Sequence, residues 1–349
     1  MSQWARLYRG DPLATPFVSP GWARAWLSAW AETEEPFVLR VLEGDRTVAI
    51  APLAIGRRAG LRTLGMLGKE PGDYWDIVAE PEHRRAAAVA VGTALAGRRD
   101  AWDLGVLSCM PPGSVTDRAF EEAGLRVHHR AVVPSPAITL PATFDEYLGT
   151  LSRRHRHNLR RHLRRLDEGE VDLRVVTDPG RLPAVIDTWQ ELRARQWRAF
   201  DKTITESHTT DRFRRFMLAA VENLAEAGQA PVWEFLREGE VVGVYVSFAD
   251  ARSLYWYLGG FDPAVKDMGL GKIAVGHGIR LSIEAGRERF DFTRGGEPYK
   301  YWFGGVDRFV ESLLVGHAGV RSRVALPVAV LEATRRDRAL SATAGGADD

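Results

Sequence analysis

One passage of this chain occurs twice in altered form, and the repetition limits the fold more than any single motif does. Glu43-Gly44-Asp45-Arg46-Thr47-Val48-Ala49-Ile50-Ala51-Pro52-Leu53 aligns, with one gap, with Glu238-Gly239-Glu240-Val241-Val242-Gly243-Val244-Tyr245-Val246-Ser247-Phe248. In each copy a charged Glu-Gly turn leads into an apolar run, and Pro36 to Leu42 or Pro231 to Arg237 supplies a strand before it. Trp233, Phe235 and Arg237 alternate with Val232, Glu234 and Leu236, the two-residue period of a strand. Both copies predict a β-hairpin. Helical spacing precedes each one, in Pro20 to Ala31 with Trp22, Trp26 and Trp30, and in Leu182 to Ala199 with Val185, Ile186, Trp189, Leu192 and Trp197. Further helices are expected at Asp211 to Ala227 and Pro81 to Arg98. Helix, antiparallel strands, helix and return strand, given twice, describe two mixed α/β domains, each a mainly antiparallel sheet flanked by helices. The length agrees, because 349 residues, 45% hydrophobic and 27% charged, exceed one ordinary core.

Only the second copy continues into an anion-binding pattern. Lys266, Gly269 and Gly271 stand at K-x-x-G-x-G spacing between a strand-like run, Ser253 to Gly260, and a helical one in which Val275, Ile279 and Ile283 recur every four residues. A helix is expected to start near Gly271. Its first N–H groups have no intrahelical partner and its dipole is positive there, so a phosphate is naturally held at that end. Glycines remove the Cβ atoms that would keep it away. Gly276 and Gly278 imply close packing of this helix on a sheet, and Arg289 to Phe292 reads as the next strand. Neither G-x-G-x-x-G nor G-x-x-x-x-G-K-[ST] occurs, which excludes the common dinucleotide and triphosphate loops. The first copy has instead Gly65-Met66-Leu67-Gly68-Lys69-Glu70-Pro71-Gly72-Asp73-Tyr74-Trp75-Asp76, glycines with no helix directly after them.

The K-x-x-G-x-G turn resembles the [Q/R]-x-x-G-x-[G/A] motif of GNAT-type N-acyltransferases, with Lys266 in place of Gln or Arg. Asp291 to Phe303 resembles the D-F-x-R-G-x-E-x-Y-K-x-x-F signature of CelD-like acetyltransferases, and Tyr299-Lys300-Tyr301-Trp302-Phe303-Gly304 is similar to the F-K-x-x-F-G segment of the related Fem peptidyltransferases. The order of elements is that of a GNAT domain, so the resemblance implies a tandem-GNAT acyltransferase. It further implies that Lys266, Gly269, Leu270, Gly271 and Lys272, with Leu258 on the preceding strand, bind the acyl donor. That donor is acetyl-CoA or another acyl-CoA or, as in the Fem enzymes, an aminoacyl-tRNA. Lys300 inherits the Fem lysine's place at the reacting acyl centre.

Acyl transfer to an amine needs a polarised carbonyl, a neutral nucleophile and a protonated leaving group. Lys300 can supply charge, Tyr299 or Tyr301 a proton, and Glu297 or Asp291 can receive the amine's proton. Asp291 equally suits a turn cap, and Tyr301 and Trp302, beside Phe303, suit a core better than a catalytic role. Arg294 and the Asp73-Tyr74-Trp75-Asp76 segment, close to the D-Y-x-D of CelD-like proteins, are candidates for holding an amine or sugar acceptor; the latter also suits a pinned turn.

Between the copies, Pro134 to Pro141 reads as an extended linker. Phe144 to Leu166 then reads as a basic helix, with Arg153, Arg154, Arg156, Arg160, Arg161, Arg164 and Arg165 around an apolar seam of Leu151, Leu159, Leu163 and Leu166. It is a candidate surface for tRNA, for the 3′-phosphate of coenzyme A, or for acids of the protein itself. The expected division is an N-terminal domain over 1–140, a basic connector over 141–170, a donor-binding domain over 171–325, and a helix with a flexible tail over 326–349. A net charge of +1 gives no global pull toward nucleic acid or membrane, and no apolar run is long enough to insert in one. The opening residues lack a secretory core segment, so a cytoplasmic protein is expected. Cys109 is expected to be a buried small residue, and no spacing of His or Cys indicates a metal site.

Overall fold

Both Glu-Gly passages lie at hairpins in the structure, a computed structural model that describes residues 2–68, 71–200 and 210–344, the first turning at Gly44-Asp45 with Glu43 still paired in its strand. The chain opens with helices α1 (Ser2–Gly10) and α2 (Pro20–Trp30). Ser19 caps α2 by accepting the Trp22 N–H, Pro20 takes the first helical position, and Trp22, Trp26 and Trp30 bury one face. Strands β1 (Glu35–Glu43), β2 (Arg46–Arg58) and β3 (Leu61–Met66) follow as an antiparallel meander. After a short β4 (Val78–Ala79) on β2, helix α3 (Arg84–Gly97) leads to β5 (Leu104–Met110), which runs parallel to β3 at Thr63↔Leu104 and Leu64↔Gly105. Helix α4 (Thr116–Glu122) and β6 (Arg126–Pro134) end this pass.

The next pass repeats the plan. Strand β7 (Ala137–Thr139) and helices α5 (Phe144–Thr150) and α6 (Arg153–Asp167) precede β8 (Asp172–Val175), α7 (Leu182–Ala199) and α8 (Asp211–Ala225). The basic segment is thus two helices, because the chain turns extended at Leu151 and Ser152 caps the next helix by accepting the His155 N–H. The second hairpin joins β9 (Val232–Arg237) to β10 (Glu240–Ala249) through Glu238 and Gly239, both at positive φ as a two-residue hairpin turn requires. Strand β11 (Ser253–Phe261) pairs with β10 along its length, but with β12 (Arg289–Asp291) only from Ser253 to Tyr255. Helix α9 (Leu270–Glu284) lies between them in sequence, and a short helix, α10 (Pro298–Trp302), follows β12. Strand β13 (Phe309–Gly316) and helix α11 (Val320–Ala344) complete the described chain.

The compact units divide the chain differently from the expected boundaries. One is Met1–Val133 with Phe309–Asp349, the other Pro134–Arg308. The reason is strand pairing. β13 lies between β5 and β6 in the first sheet, β1-β2-β3-β5-β13-β6, so it joins the first unit and not the donor-binding one. β7, expected as linker, edges the second sheet, β7-β12-β11-β10-β9-β8. The basic segment is no separate connector either, since Leu148, Leu151, Leu159 and Leu163 belong to the second unit's core with Trp233, Ile279 and Phe290. The expected flexible tail falls partly on 345–349, outside the described residues. Cys109 is buried as expected.

Candidate functional site

Because β12 accompanies β11 for three residues only, the rest of β11 borders open space. There the second unit holds a cavity of about 780 Å³, lined by α7, β10, β11, the start of α9 and the 292–303 segment. Gly269 adopts φ +69, ending a short 3₁₀ turn and opening α9. No side chain can replace its hydrogen, because a Cβ would overlap the ring of His162. His162 donates from Nδ1 to the Met268 carbonyl at 3.2 Å; burial first, then the charge of Lys272, lowers its pKa. Lys266, Gly269, Leu270, Gly271 and Lys272 all line the cavity, so the predicted donor turn is assembled. Lys272 is steadied over the Trp302 ring at 5.3 Å. Leu258 does not line the cavity. Its neighbours Tyr257 and Gly259 do, and strand alternation sends its side chain to the opposite face, where it is buried.

Tyr299, Glu297, Arg294 and Lys300 share this cavity. Lys300 is 2% exposed and donates from Nζ to the carbonyls of Thr293 (3.1 Å), Arg294 (2.8 Å) and Gly295 (3.0 Å), with Glu297 Oε2 at 2.9 Å. An ammonium has three protons, and three carbonyls take them. Lys300 therefore ties down the 293–297 turn, including Thr293 at φ +58, instead of presenting a free charge to a carbonyl. Asp291 is 1% exposed at the end of β12 and lies outside the lining; its Oδ1 accepts the Thr293 N–H at 2.8 Å, the turn-cap role. Tyr301 is also outside and donates to Asp307 at 2.7 Å. Tyr299, 45% exposed as a residue, has its pKa raised by desolvation of the hydroxyl and then by Glu297, so the phenol stays protonated.

Asp73, Tyr74 and Asp76 are buried within the first unit and line no part of this cavity. Asp76 accepts from the Thr116 hydroxyl and the Ile77 N–H, both at 2.8 Å, and Trp75 donates its indole N–H to the Pro52 carbonyl. These residues knit the segment into its own core and do not display it to an acceptor.

Sequence reasoning missed Arg193, Gln196 and Tyr245. Arg193 donates from Nη1 to the Gly259 carbonyl at 2.9 Å and lies 4.5 Å over the Trp197 ring. Tyr245 stacks on Trp256 at 5.2 Å, and its ring occupies the place of a Gly259 Cβ. Gly259 and Gly260 inside a strand were the available signal, since glycine there marks a close approach.

Residues 153–301 match the family model described as an acetyltransferase (GNAT) domain. No curated protein sequence matches the chain. Among solved structures, FemX is similar over 90% of this chain and 95% of its own, at TM-score 0.68 and 11% identity. A conserved protein of unknown function from Bacteroides thetaiotaomicron matches over 90% and 95%, at TM-score 0.60 and 10% identity. The C-terminal domain of a putative lysylphosphatidylglycerol synthetase from Agrobacterium fabrum matches over 95% of each chain, at TM-score 0.57 and 12% identity. At such identities the likeness is one of fold.

Proposed function

Since residues 153–301 belong to the GNAT acetyltransferase family and the chain is an acyltransferase of that fold, we propose that it moves an acyl group from acyl-coenzyme A to an amine by direct attack. The observation that carries this reading is the Gly269 turn opening α9 onto a cavity beside the unpaired half of β11. Fit to the donor is supported by its chemistry: the first amides of α9, Lys266 and Lys272 suit a pyrophosphate, and the β11 edge offers backbone groups to an extended arm. Acyl-coenzyme A, when bound, supplies an activated thioester carbonyl. Glu297, the one acid lining the cavity among the described residues, is placed to take the amine's proton. Tyr299 acts as a neutral hydrogen-bond donor. Its raised pKa makes proton transfer to a thiolate, whose own pKa is about 8.5, uphill. Lys300 is assigned the positioning of the 293–297 turn.

A second reading, an aminoacyl-tRNA donor, rests on α6. Its arginines pair, among the described residues, only through Arg160 with Asp145 at 3.5 Å and Arg165 with Glu170 at 3.6 Å. Exposed Arg153, Arg154, Arg161 and Arg164, with the half-buried Arg156, are left to neutralise phosphates. The acceptor would be a small-molecule or sugar amine in either case.

Thermal melting with acetyl-coenzyme A, coenzyme A and deacylated tRNA separates the readings. A ligand at 100 times its dissociation constant adds about 2.7 kcal/mol. Stabilisation by both coenzymes is expected. If neither shifts the melt while tRNA does so at low salt only, the second reading replaces the first.

A further inference from the structure

The donor turn leaves one wall of the cavity without a task. On α7, Arg193 uses Nη1 for the Gly259 carbonyl and its face for Trp197, and no carboxylate of the described residues pairs with it. Its Nε is buried with no hydrogen-bond partner among them, and so is Oε1 of Gln196 one turn later. Facing the same cavity, the Tyr245 hydroxyl is also unpartnered, on a residue 5% exposed. A guanidinium engaged through Nη1 still offers Nε and Nη2, the edge that grips a carboxylate with two parallel hydrogen bonds. Buried donors left in this state are costly unless a ligand meets them.

The charges nearby define the ligand further. Arg193 lies within the electrostatic reach of Tyr245, Tyr299 and Glu297. Arg193 and Glu297 in the same field suit a ligand whose anion and amine are a few bonds apart. Gln196, an orphaned acceptor, suits an N–H of that amine. Desolvation keeps the Tyr245 phenol protonated, so it donates to an anion.

We propose that Arg193, Tyr245 and Gln196 form the acceptor subsite and read a free carboxylate, which makes the acceptor an amino acid or a similar small zwitterion, not an amino sugar or a simple amine. This rests on the donor lying at α9, as proposed above, but its test does not. The full chain is titrated calorimetrically with the common L-amino acids and with each matched carboxamide, and separately with coenzyme A. At least one amino acid should bind ten-fold or more tightly than its amide. Arg193→Gln should erase that preference and leave coenzyme A affinity unchanged. Tyr245→Phe, which removes a hydroxyl without a hydrogen-bond partner among the described residues, should keep the fold and cut the preference several-fold.

The assignment is overturned if no amino acid is preferred over its amide, or if Arg193→Gln and Tyr245→Phe both retain the preference. It is equally overturned if Arg193→Gln weakens coenzyme A instead, for the arginine then serves the donor's phosphates. A carboxylate preference without any coenzyme A binding would sink the donor reading and keep this one.

Discussion

The two units share a frame and differ in what stands before it. In each, a hairpin and a third strand are followed by a helix and by a strand parallel to the third, β3 with β5 and β11 with β12. In the first unit the chain leaves β3 through Gly68, at φ +101, where a Cβ would come within 2.7 Å of Trp22 Nε1, and it buries Tyr74 and Trp75 before α3 starts at Arg84. In the second, β11 passes through one 3₁₀ turn and Gly269 directly into α9. After the third strand the first unit packs Trp22 and Trp75, whereas the second opens on a cavity of about 780 Å³. The two frames differ in whether a helix N-terminus follows the third strand at once.

The sharpest way to break this comparison is at its glycines. Gly269→Ala meets both a left-handed backbone and the His162 ring, and should weaken coenzyme A binding by about 100-fold or more in calorimetry, roughly the 3 kcal/mol of a strained, displaced turn. Gly68→Ala should cost about 1–3 kcal/mol of stability through Trp22 and leave that affinity intact. Equal loss of affinity in both would mean that the first unit also serves the donor.

Lys300→Met comes next. Removing a buried cation from three carbonyls and Glu297 should cost about 3 kcal/mol in urea unfolding together with turnover. Lost turnover at unchanged stability would return Lys300 to the reacting carbonyl.

The units should also respond oppositely to pH. His277 on α9, beside Arg280 and Trp233, has its pKa lowered to about 4, by burial first and Arg280 second. The folded form then binds fewer protons than the unfolded one between about 6.5 and 4. Up to about 3 kcal/mol should be lost as pH falls through that window, and His277→Gln should flatten the loss. Asp76 has its pKa raised by desolvation, against the hydrogen bond from Thr116. Its folded form holds the proton longer, so its contribution declines as pH rises from about 3.9, and Asp76→Asn should remove that slope. Slopes of one sign in both variants would contradict the burial that sets them apart. The smallest effect belongs to Gly60→Ala in the β2–β3 turn: φ +76 with open space around it should cost about 1 kcal/mol and leave turnover unchanged.

The sequence carried the local frame well. Leu182–Ala199 is helical over the predicted span, and both Glu-Gly turns and the α9 start lie where periodicity and glycine spacing put them. Of the candidate site, the Gly269 turn and the Glu297, Tyr299 and Lys300 cavity lining were legible because they are nearly continuous in sequence. Arg193 and Tyr245 were not, since a helix face and a buried strand give no sign of which side chains end without a partner. Asp291 and the Asp73–Asp76 segment misled for the converse reason: motif spacing records residue type, whereas their carboxylates are spent on turns and core hydroxyls.

The place of β13 sets an order on biosynthesis. The first sheet cannot join β6 to β5 until Phe309–Gly316 has left the ribosome, because that strand lies between them. Pro134–Arg308 is continuous and can collapse while the N-terminal half still waits with the edge of β5 uncovered. The long wait imposes high contact order on the first unit. Chains stopped at Arg308 should therefore aggregate through β5, and the first unit, though its translation begins first, should be the last to become native.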